Sequence, residues 1–143
     1  MPKKILCATD GSNSSKKAVA CAIDLAESTG AKLTVMTVNM VPTERTRRSA
    51  YWDNELIDAV NAQINAQLAP AIKAVKSAGI TKPEFLVVSG SNAADAIVAY
   101  ADANKFDHIV VGSSIRSAVE RLLVGSTATA VVTRAHCPVT VAR

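Results

Sequence analysis

In the stretch Ile109-Val110-Val111-Gly112-Ser113, three apolar residues form a short, uninterrupted run that predicts a strand over residues 108–111, ended by Gly112. Strands of a parallel sheet are buried on both faces, so their sequences are continuous apolar runs of this kind rather than alternating patterns. A similar run at residues 5–9 stops at the turn signal Asp10-Gly11-Ser12. Shorter runs indicate three more strands, at residues 33–38, 85–88 and 139–141. Together the five runs predict a parallel sheet.

Between the strands, apolar residues recur at helical spacing. Helices are predicted from a cap within residues 12–14 to Gly30, and over residues 56–79, 92–104 and 126–134. Pro70 lies inside the second helix and predicts a kink or a break, because proline removes a backbone donor. In the third helix we expect Ala96, Ile97 and Tyr100 to face the core. Strands and helices alternate along all 143 residues without a linker or repeat, which predicts a single α/β domain with helices on both faces of the sheet.

The composition excludes several classes of protein. Hydrophobic residues make up 49% of the chain, too many for a disordered protein. Aromatic residues make up only 3%, whereas modules that stack RNA bases depend on aromatic side chains. The net charge of +4 is mild and suits an anionic small molecule as well as it suits nucleic acid. The basic run of Arg45, Arg47 and Arg48 is more typical of a solvated loop than of a nucleic-acid patch, so we expect no nucleic-acid partner.

The three cysteines, Cys7, Cys21 and Cys137, have neither zinc-binding nor redox spacing. We expect each to lie reduced in the core as a small hydrophobic residue. The N-terminal segment reaches Asp10 too soon for a signal peptide, and no apolar run approaches the roughly 20 residues of a membrane span. These features predict a soluble cytoplasmic protein that does not insert into membranes.

Two turns have the composition of an anion-binding site. In sheets of this kind, ligands bind beyond the carboxyl ends of the strands, where the strand order reverses. The turn at residues 8–12 and the segment from Gly112 to Thr127 both follow predicted strands. Gly125-Ser126 opens a helix, whose unpaired N–H groups favour an anion, and Arg116 would add a charge-assisted contact. As an alternative, the glycines of these turns serve only tight strand–helix connections.

No catalytic arrangement is complete in this sequence. Residues 11–17 lack the second glycine of a Walker A loop, and no G-x-G-x-x-G occurs. The chain also presents neither a catalytic triad nor a pair of carboxylates. We therefore expect a binding protein rather than an enzyme.

Five motifs along the chain together resemble those of the universal stress protein family. They are Ala-Thr-Asp-Gly-Ser at residues 8–12, and the motifs at residues 90–97, 109–113, 122–126 and 136–139. The resemblance covers essentially the whole chain, as one domain of residues 1–143. It implies an α/β fold, a doubly wound sheet of five parallel strands in the order 3-2-1-4-5, of the adenine nucleotide alpha hydrolase-like type. In that order the switch point lies between strands one and four, beside both candidate turns.

Many members of the family bind ATP through the motif G-x2-G-x9-G-[ST]. Here Gly112 and Gly125-Ser126 keep its spacing, but Ile115 occupies the position of its second glycine. The resemblance implies ATP or AMP as the ligand, with or without Mg²⁺. An affinity that survives Ile115 requires its side chain to turn away from the phosphates.

The resemblance implies a different role for each group of residues. Asp10 would lie near the ribose, the phosphates or their metal, with Ala8 beside the nucleotide, and Val38 would offer backbone groups to the adenine. The phosphates would be held by Gly112, Gly125, Ser126 and Thr127. As alternatives, Asp10 is only a turn and cap residue, and Ser126 is a plain helix N-cap.

For function, the resemblance implies a cytoplasmic regulatory protein of the stress response. Nucleotide binding would change its contacts with a second copy or with a protein partner of unknown identity, without turnover. It also implies a homodimer that forms through the C-terminal strand, Val139-Thr140-Val141. Two alternatives stay open: a homodimeric interaction module of the same fold that binds no nucleotide, and a slow ATPase.

Overall fold

The computed structural model describes residues 2–40, 54–113 and 124–143. Strands and helices alternate in it as the sequence predicts. The elements are β1 (Lys4–Ala8), α1 (Asn13–Thr29), β2 (Lys32–Met40), α2 (Asn54–Ser77), β3 (Glu84–Gly90), α3 (Ala93–Ala103), β4 (His108–Gly112), α4 (Ser126–Arg134) and β5 (Val139–Ala142). None of the described helices is both long and apolar enough to span a membrane.

The sheet has the order β3-β2-β1-β4-β5, and every neighbouring pair of strands is parallel. This confirms the expected order 3-2-1-4-5. The chain moves outward from β1 to β3 and then returns to pair β4 with the other side of β1, so the strand order reverses between β1 and β4. In sheets of this kind such a reversal leaves a crevice at the carboxyl edge.

Two hydrophobic layers cover the two faces of the sheet. On one face, Ile5, Leu33 and Val110 pack under α1 and α2, while on the other Leu6 and Ile109 pack under α3 and α4. Both faces of the central strands are buried, which is why their sequences are continuous apolar runs. The layers are built mainly from aliphatic side chains, and the core on the α3–α4 face also contains the buried Phe106.

The cysteines agree with the expected reduced state. Among the described residues Cys7, Cys21 and Cys137 are all free thiols, Cys7 fully buried in the core and the other two half-buried. Burial and, to a smaller extent, the neighbouring Cys21 raise the pKa of the Cys7 thiol to about 12. A thiol with so high a pKa is almost entirely protonated at neutral pH and is a poor nucleophile.

The helix ends and faces match the prediction in part. Ser12 is the N-cap of α1, and Gly30 ends the helix in the left-handed conformation at φ 73°. Helix α2 is continuous through Pro70, so the predicted break does not occur. In α3 only Ile97 of the three expected residues is fully buried; Ala96 and Tyr100 are half-buried, and Ala94 and Ala101 are buried instead.

Candidate functional site

A cavity of about 330 Å³ lies at the carboxyl edge of the sheet, where the strand order reverses. It is bordered by the ends of β1, β2 and β4, by the middle of α2, and by the N-terminal turns of α3 and α4. Its volume is within the range of about 300–1,000 Å³ that is typical of small-molecule sites. The fold thus places a ligand-sized cavity at the position expected from the strand order.

Most of the residues expected to bind a ligand are brought together at this cavity. It is lined by Ala8, Asp10, Val38, Gly112 and Thr127. Gly125 and Ser126 are not among its lining residues but lie directly before Thr127, at the start of α4. Arg116 and Ile115 lie outside the described residues, as do Arg45, Arg47 and Arg48. Direct ligand contacts by all of these residues stay predictions.

The turn after β1 is fixed by a network of hydroxyl groups. The buried Thr9 donates from Oγ1 to Ser15 Oγ at 2.9 Å, and the Ser15 hydroxyl donates to the backbone oxygen of Ser12 at 2.9 Å. The Ser12 amide donates to Asp10 Oδ1 at 2.9 Å. Burial alone would raise the pKa of Asp10, but hydrogen bonds from Ser12 and Ser15 outweigh it and lower that pKa. Asp10 is therefore held as a carboxylate at the mouth of the cavity.

The lowered pKa of Asp10 gives the folded state a pH-dependent stability. The stabilisation by ionised Asp10 is fully present above the unfolded-state pKa of about 3.9. It is lost as the pH falls through the lower pKa of Asp10 in the folded state. We expect Asp10→Asn to destabilise the protein modestly at pH 7, because solvent screens this exposed side chain. The difference in denaturation midpoint between wild type and variant should shrink below about pH 4.

Asp24→Asn is the control for this measurement, because it removes one exposed carboxylate from α1 without touching the turn. The midpoints are compared from pH 7 down to pH 2.5. If Asp10→Asn and wild type differ by the same amount at every pH, the hydrogen bonds to Asp10 do not stabilise its charged form.

The N-terminus of α4 is built differently from those of α1 and α3. Ser12 and Asn92 cap α1 and α3 with their own side chains, whereas the N-cap of α4 is Gly125, which has no side chain to cap with. The alternative that Ser126 is a plain N-cap is therefore wrong, since Ser126 is the first helical residue. The N–H groups of the first turn, next to Thr127 at the cavity, keep their capacity to bind an anion.

Gly112 has a packing role that is independent of any ligand. A Cβ atom at this position would lie 2.6 Å from the backbone oxygen of Ser14 and 2.7 Å from its carbonyl carbon. The end of β4 therefore approaches the first turn of α1 too closely for any side chain. This favours the alternative in which Gly112 serves a tight contact between elements, and a phosphate contact by its backbone stays a prediction.

Eight further residues line the cavity that the sequence analysis does not predict to bind a ligand. They are Thr9, Ser15, Thr37, Met40, Gln67, Ala93, Ile97 and Val111. Gln67 is the most polar of them, and its Oε1 accepts a hydrogen bond from the buried Thr37 hydroxyl at 3.0 Å. It lies in the middle of α2, 30 residues after Thr37, so no local pattern in the sequence connects it with the turns of β1 and β4.

The described residues contain no group of three or more His, Cys, Asp and Glu side chains that could hold a metal ion. At the cavity, Asp10 is the one carboxylate among these residues. His136, next to Cys137, is exposed, and its Nε2 lies 3.7 Å from Asp102 Oδ2.

The sequence of the whole chain is similar to one known family. A model described as "Universal stress protein family" matches residues 1–143. The chain belongs to this family. It is 31% identical over 142 residues to a universal stress protein of Methanocaldococcus jannaschii, which covers 99% of this chain and 82% of that protein.

Two solved structures show the same architecture as this universal stress protein. A universal stress protein in complex with cAMP is 34% identical, with a TM-score of 0.74 over 99% of this chain and 97% of the other. A universal stress protein from Archaeoglobus fulgidus is 23% identical, with a TM-score of 0.76 over 100% of both chains. The second likeness establishes the fold alone.

Proposed function

We propose that this universal stress protein is a regulatory module that binds an adenine nucleotide in the cavity at the carboxyl edge of its sheet. The observation that carries the proposal is that five residues expected to contact a nucleotide line one cavity at the switch point. A relative that is 34% identical over nearly its whole length is described in complex with cAMP, which supports an adenine nucleotide as the class of ligand.

The chemistry of the cavity suits the two ends of a nucleotide. Val38, Met40 and Ile97 contribute apolar surface to the cavity. A purine base that packs against this surface is removed from water, which favours binding. Thr127 and the uncapped first turn of α4 provide N–H donors and a helix dipole for phosphate oxygens. A bound Mg²⁺ fits Asp10 together with phosphate oxygens, because Mg²⁺ is usually held by one or two carboxylates and the substrate's phosphates.

The described residues of this cavity favour nucleotide binding without hydrolysis. Phosphoryl transfer recruits a base or a residue that orients the attacking group. Asp10 is the one titratable side chain among the described lining residues, and its lowered pKa makes it a weak base at neutral pH. A slow ATPase is the second candidate, and release of ADP distinguishes it.

Calorimetric titration with ATP, AMP and cAMP, with and without Mg²⁺, tests the proposal. We expect wild type to bind at least one of them with a dissociation constant in the micromolar range. Ala93→Phe should weaken binding by at least about tenfold, or ~1.4 kcal/mol, because Ala93 lines the cavity at the start of α3. Ala99→Phe on the exposed side of the same helix is the matched control and should bind like wild type.

Ile115→Gly, titrated in parallel, separates the alternatives. Binding by this variant but not by wild type identifies an interaction module in which Ile115 prevents nucleotide binding. Binding by neither contradicts the proposal. Equal binding by wild type and Ala93→Phe would place the nucleotide elsewhere on the molecule.

We also propose that the regulatory unit is a homodimer joined through β5. This strand is at the edge of the sheet, and all four of its residues are half-buried in the single chain. An edge strand of this kind can pair with another copy of itself. β5 is paired with β4, and the end of β4 borders the cavity. The ligand and the second copy would therefore contact neighbouring strands.

A further inference from the structure

Thr37 and Gln67 form a polar pair in the wall of the cavity. Thr37 belongs to β2 and is 1% exposed, and Gln67 projects from the middle of α2. The Thr37 hydroxyl donates to Gln67 Oε1 at 3.0 Å. A buried hydroxyl that lost this acceptor would stay unsatisfied, which is unfavourable. The hydrogen bond therefore fixes the orientation of the Gln67 amide.

That orientation leaves the amino group of Gln67 available. Its Oε1 is occupied by Thr37, so Nε2 keeps two N–H donors. Among residues 2–40, 54–113 and 124–143, none accepts a hydrogen bond from Nε2. Gln67 lines the cavity, so these donors can serve a molecule bound there.

The backbone of Gln67 is also held in place. A Cβ atom on Gly11 would lie 3.1 Å from Gln67 Cα, and Gly11 has a φ of +81°. The turn that carries Asp10 thus packs directly on α2 at Gln67. The amide lies between this turn and the end of β2, where Val38 and Met40 supply the apolar part of the lining.

We propose that Gln67 is a specificity-determining residue that donates a hydrogen bond from Nε2 to a ring nitrogen of the bound base, with Thr37 as its positioning residue. The inference rests on the proposed function and adds to it a residue that reads the base. The base is assigned to this end of the cavity because Val38 and Met40 are apolar, whereas phosphates favour the N-terminus of α4.

Gln67→Glu is the sharpest test, because a carboxylate keeps the acceptor for Thr37 but loses the two donors. We expect Gln67→Glu to weaken ATP binding by at least about tenfold. The variant loses a hydrogen-bond donor, and its negative charge repels the phosphate-bearing ligand. Gln67→Ala should weaken ATP and 2′-deoxy-ATP equally, by about three- to tenfold. Gln63→Glu, on an exposed position one turn earlier in α2, is the matched control and should bind like wild type.

Thr37→Val tests the positioning role, with Thr34→Val as its control, since Thr34 lies in the same strand, is also 1% exposed and does not line the cavity. Thr37→Val should weaken ATP binding, and combining it with Gln67→Ala should add nothing further. Additive losses would mean that Thr37 does not act through Gln67. Midpoints of unfolding without ligand show whether each variant is folded.

The remaining outcomes are distinct for the two proposals. If wild type binds ATP and Gln67→Glu binds it equally well, the role of Gln67 is wrong and the proposed function stands. If the loss in Gln67→Ala occurs with ATP but not with 2′-deoxy-ATP, the amide contacts the ribose and the assignment to the base is wrong. If wild type binds none of the nucleotides, both proposals fail.

Discussion

Gly112→Ala should lower the free energy of unfolding by about 2–3 kcal/mol. The added methyl group would be placed 2.6–2.8 Å from three atoms of Ser14, two of which belong to the backbone. The two nearest of these atoms belong to the backbone and cannot rotate away, so β4 or the first turn of α1 has to move. The measurement is the urea midpoint of wild type and variant at an unchanged m-value.

Gly90→Ala is the matched control for this experiment. Gly90 also ends a strand, β3, and neither glycine has a positive φ. A Cβ atom on Gly90 would lie 3.2 Å from the methyl group of Ala96, a milder contact with a side chain. We expect a loss below about 1 kcal/mol there. Equal losses at Gly90 and Gly112 would contradict the packing role of Gly112.

The packing of Gly112 changes the interpretation of its motif. A glycine in a phosphate-loop pattern suggests close approach of a phosphate, but here the atoms of Ser14 alone require it. The position of Gly112 in the cavity wall follows from this contact, because it brings the end of β4 against the start of α1. A glycine at position 112 is therefore not by itself evidence of nucleotide binding. Among the lining residues, Asp10 and Thr127 are stronger evidence for a nucleotide site.

The fold could be predicted because it depends on local patterns. The runs at β1 and β4 are apolar since both sheet faces are covered, and Ser12 and Gly30 mark the ends of α1 by their cap chemistry. Helix α4 has the predicted bounds of Ser126–Arg134. Strands β2, β3 and β5 extend one or two residues beyond the predicted ends, because hydrogen bonding continues into residues that are not fully buried, whereas β1 ends at Ala8, one residue before its predicted end.

The buried face of α3 was harder to assign. Its sequence from Ala93 to Ala103 contains mostly alanine and other apolar residues, so several faces have a similar apolar character. Packing on the sheet selects Ala94, Ile97 and Ala101, which have the i, i+3, i+7 spacing of one face. In α2, polar residues separate the apolar ones, and the apolar residues Leu68 and Val75 are buried.

Part of the site could be predicted because it follows a strand end. Ala8 and Asp10 sit at or just beyond the end of β1, so the topology places them at the cavity, whereas Val38, inside β2, was implied only by the family resemblance. Gln67 is on a helix, among other polar residues, and reaches the cavity through the packing of α2 on Gly11 and Thr37. Such a contact is a property of the tertiary structure and leaves no signal in spacing or composition.

The second prediction with a large expected effect is that Val141→Pro weakens the dimer that we propose to form through β5. Ile109 N–H donates to the Pro138 oxygen and Ser113 N–H to the Ala142 oxygen, both at 3.0 Å. Backbone groups alternate in direction along a strand, so those of Val141 face away from β4, toward the open edge. Proline at this position removes an outward N–H group.

We expect Val141→Pro to raise the dissociation constant of the dimer by about thirtyfold. A two-fold interface contains the substitution twice, and each lost hydrogen bond contributes about 1 kcal/mol, or ~2 kcal/mol in total. The measurement is sedimentation velocity across a concentration series. Val141→Ala controls for the side chain, which packs on the α3–α4 face of the core, and should leave dimerisation close to that of wild type.

Thr140→Pro, one residue earlier, separates pairing between copies from pairing within the chain. The backbone of Thr140 faces β4, where Thr140 pairs with Val110, so proline there should lower the free energy of unfolding of the single chain. Val141→Pro should instead keep the unfolding midpoint of the monomer near that of Val141→Ala. A wild type that sediments as a monomer at micromolar concentration, or a Val141→Pro variant that dimerises like wild type, would exclude β5 as the dimer contact.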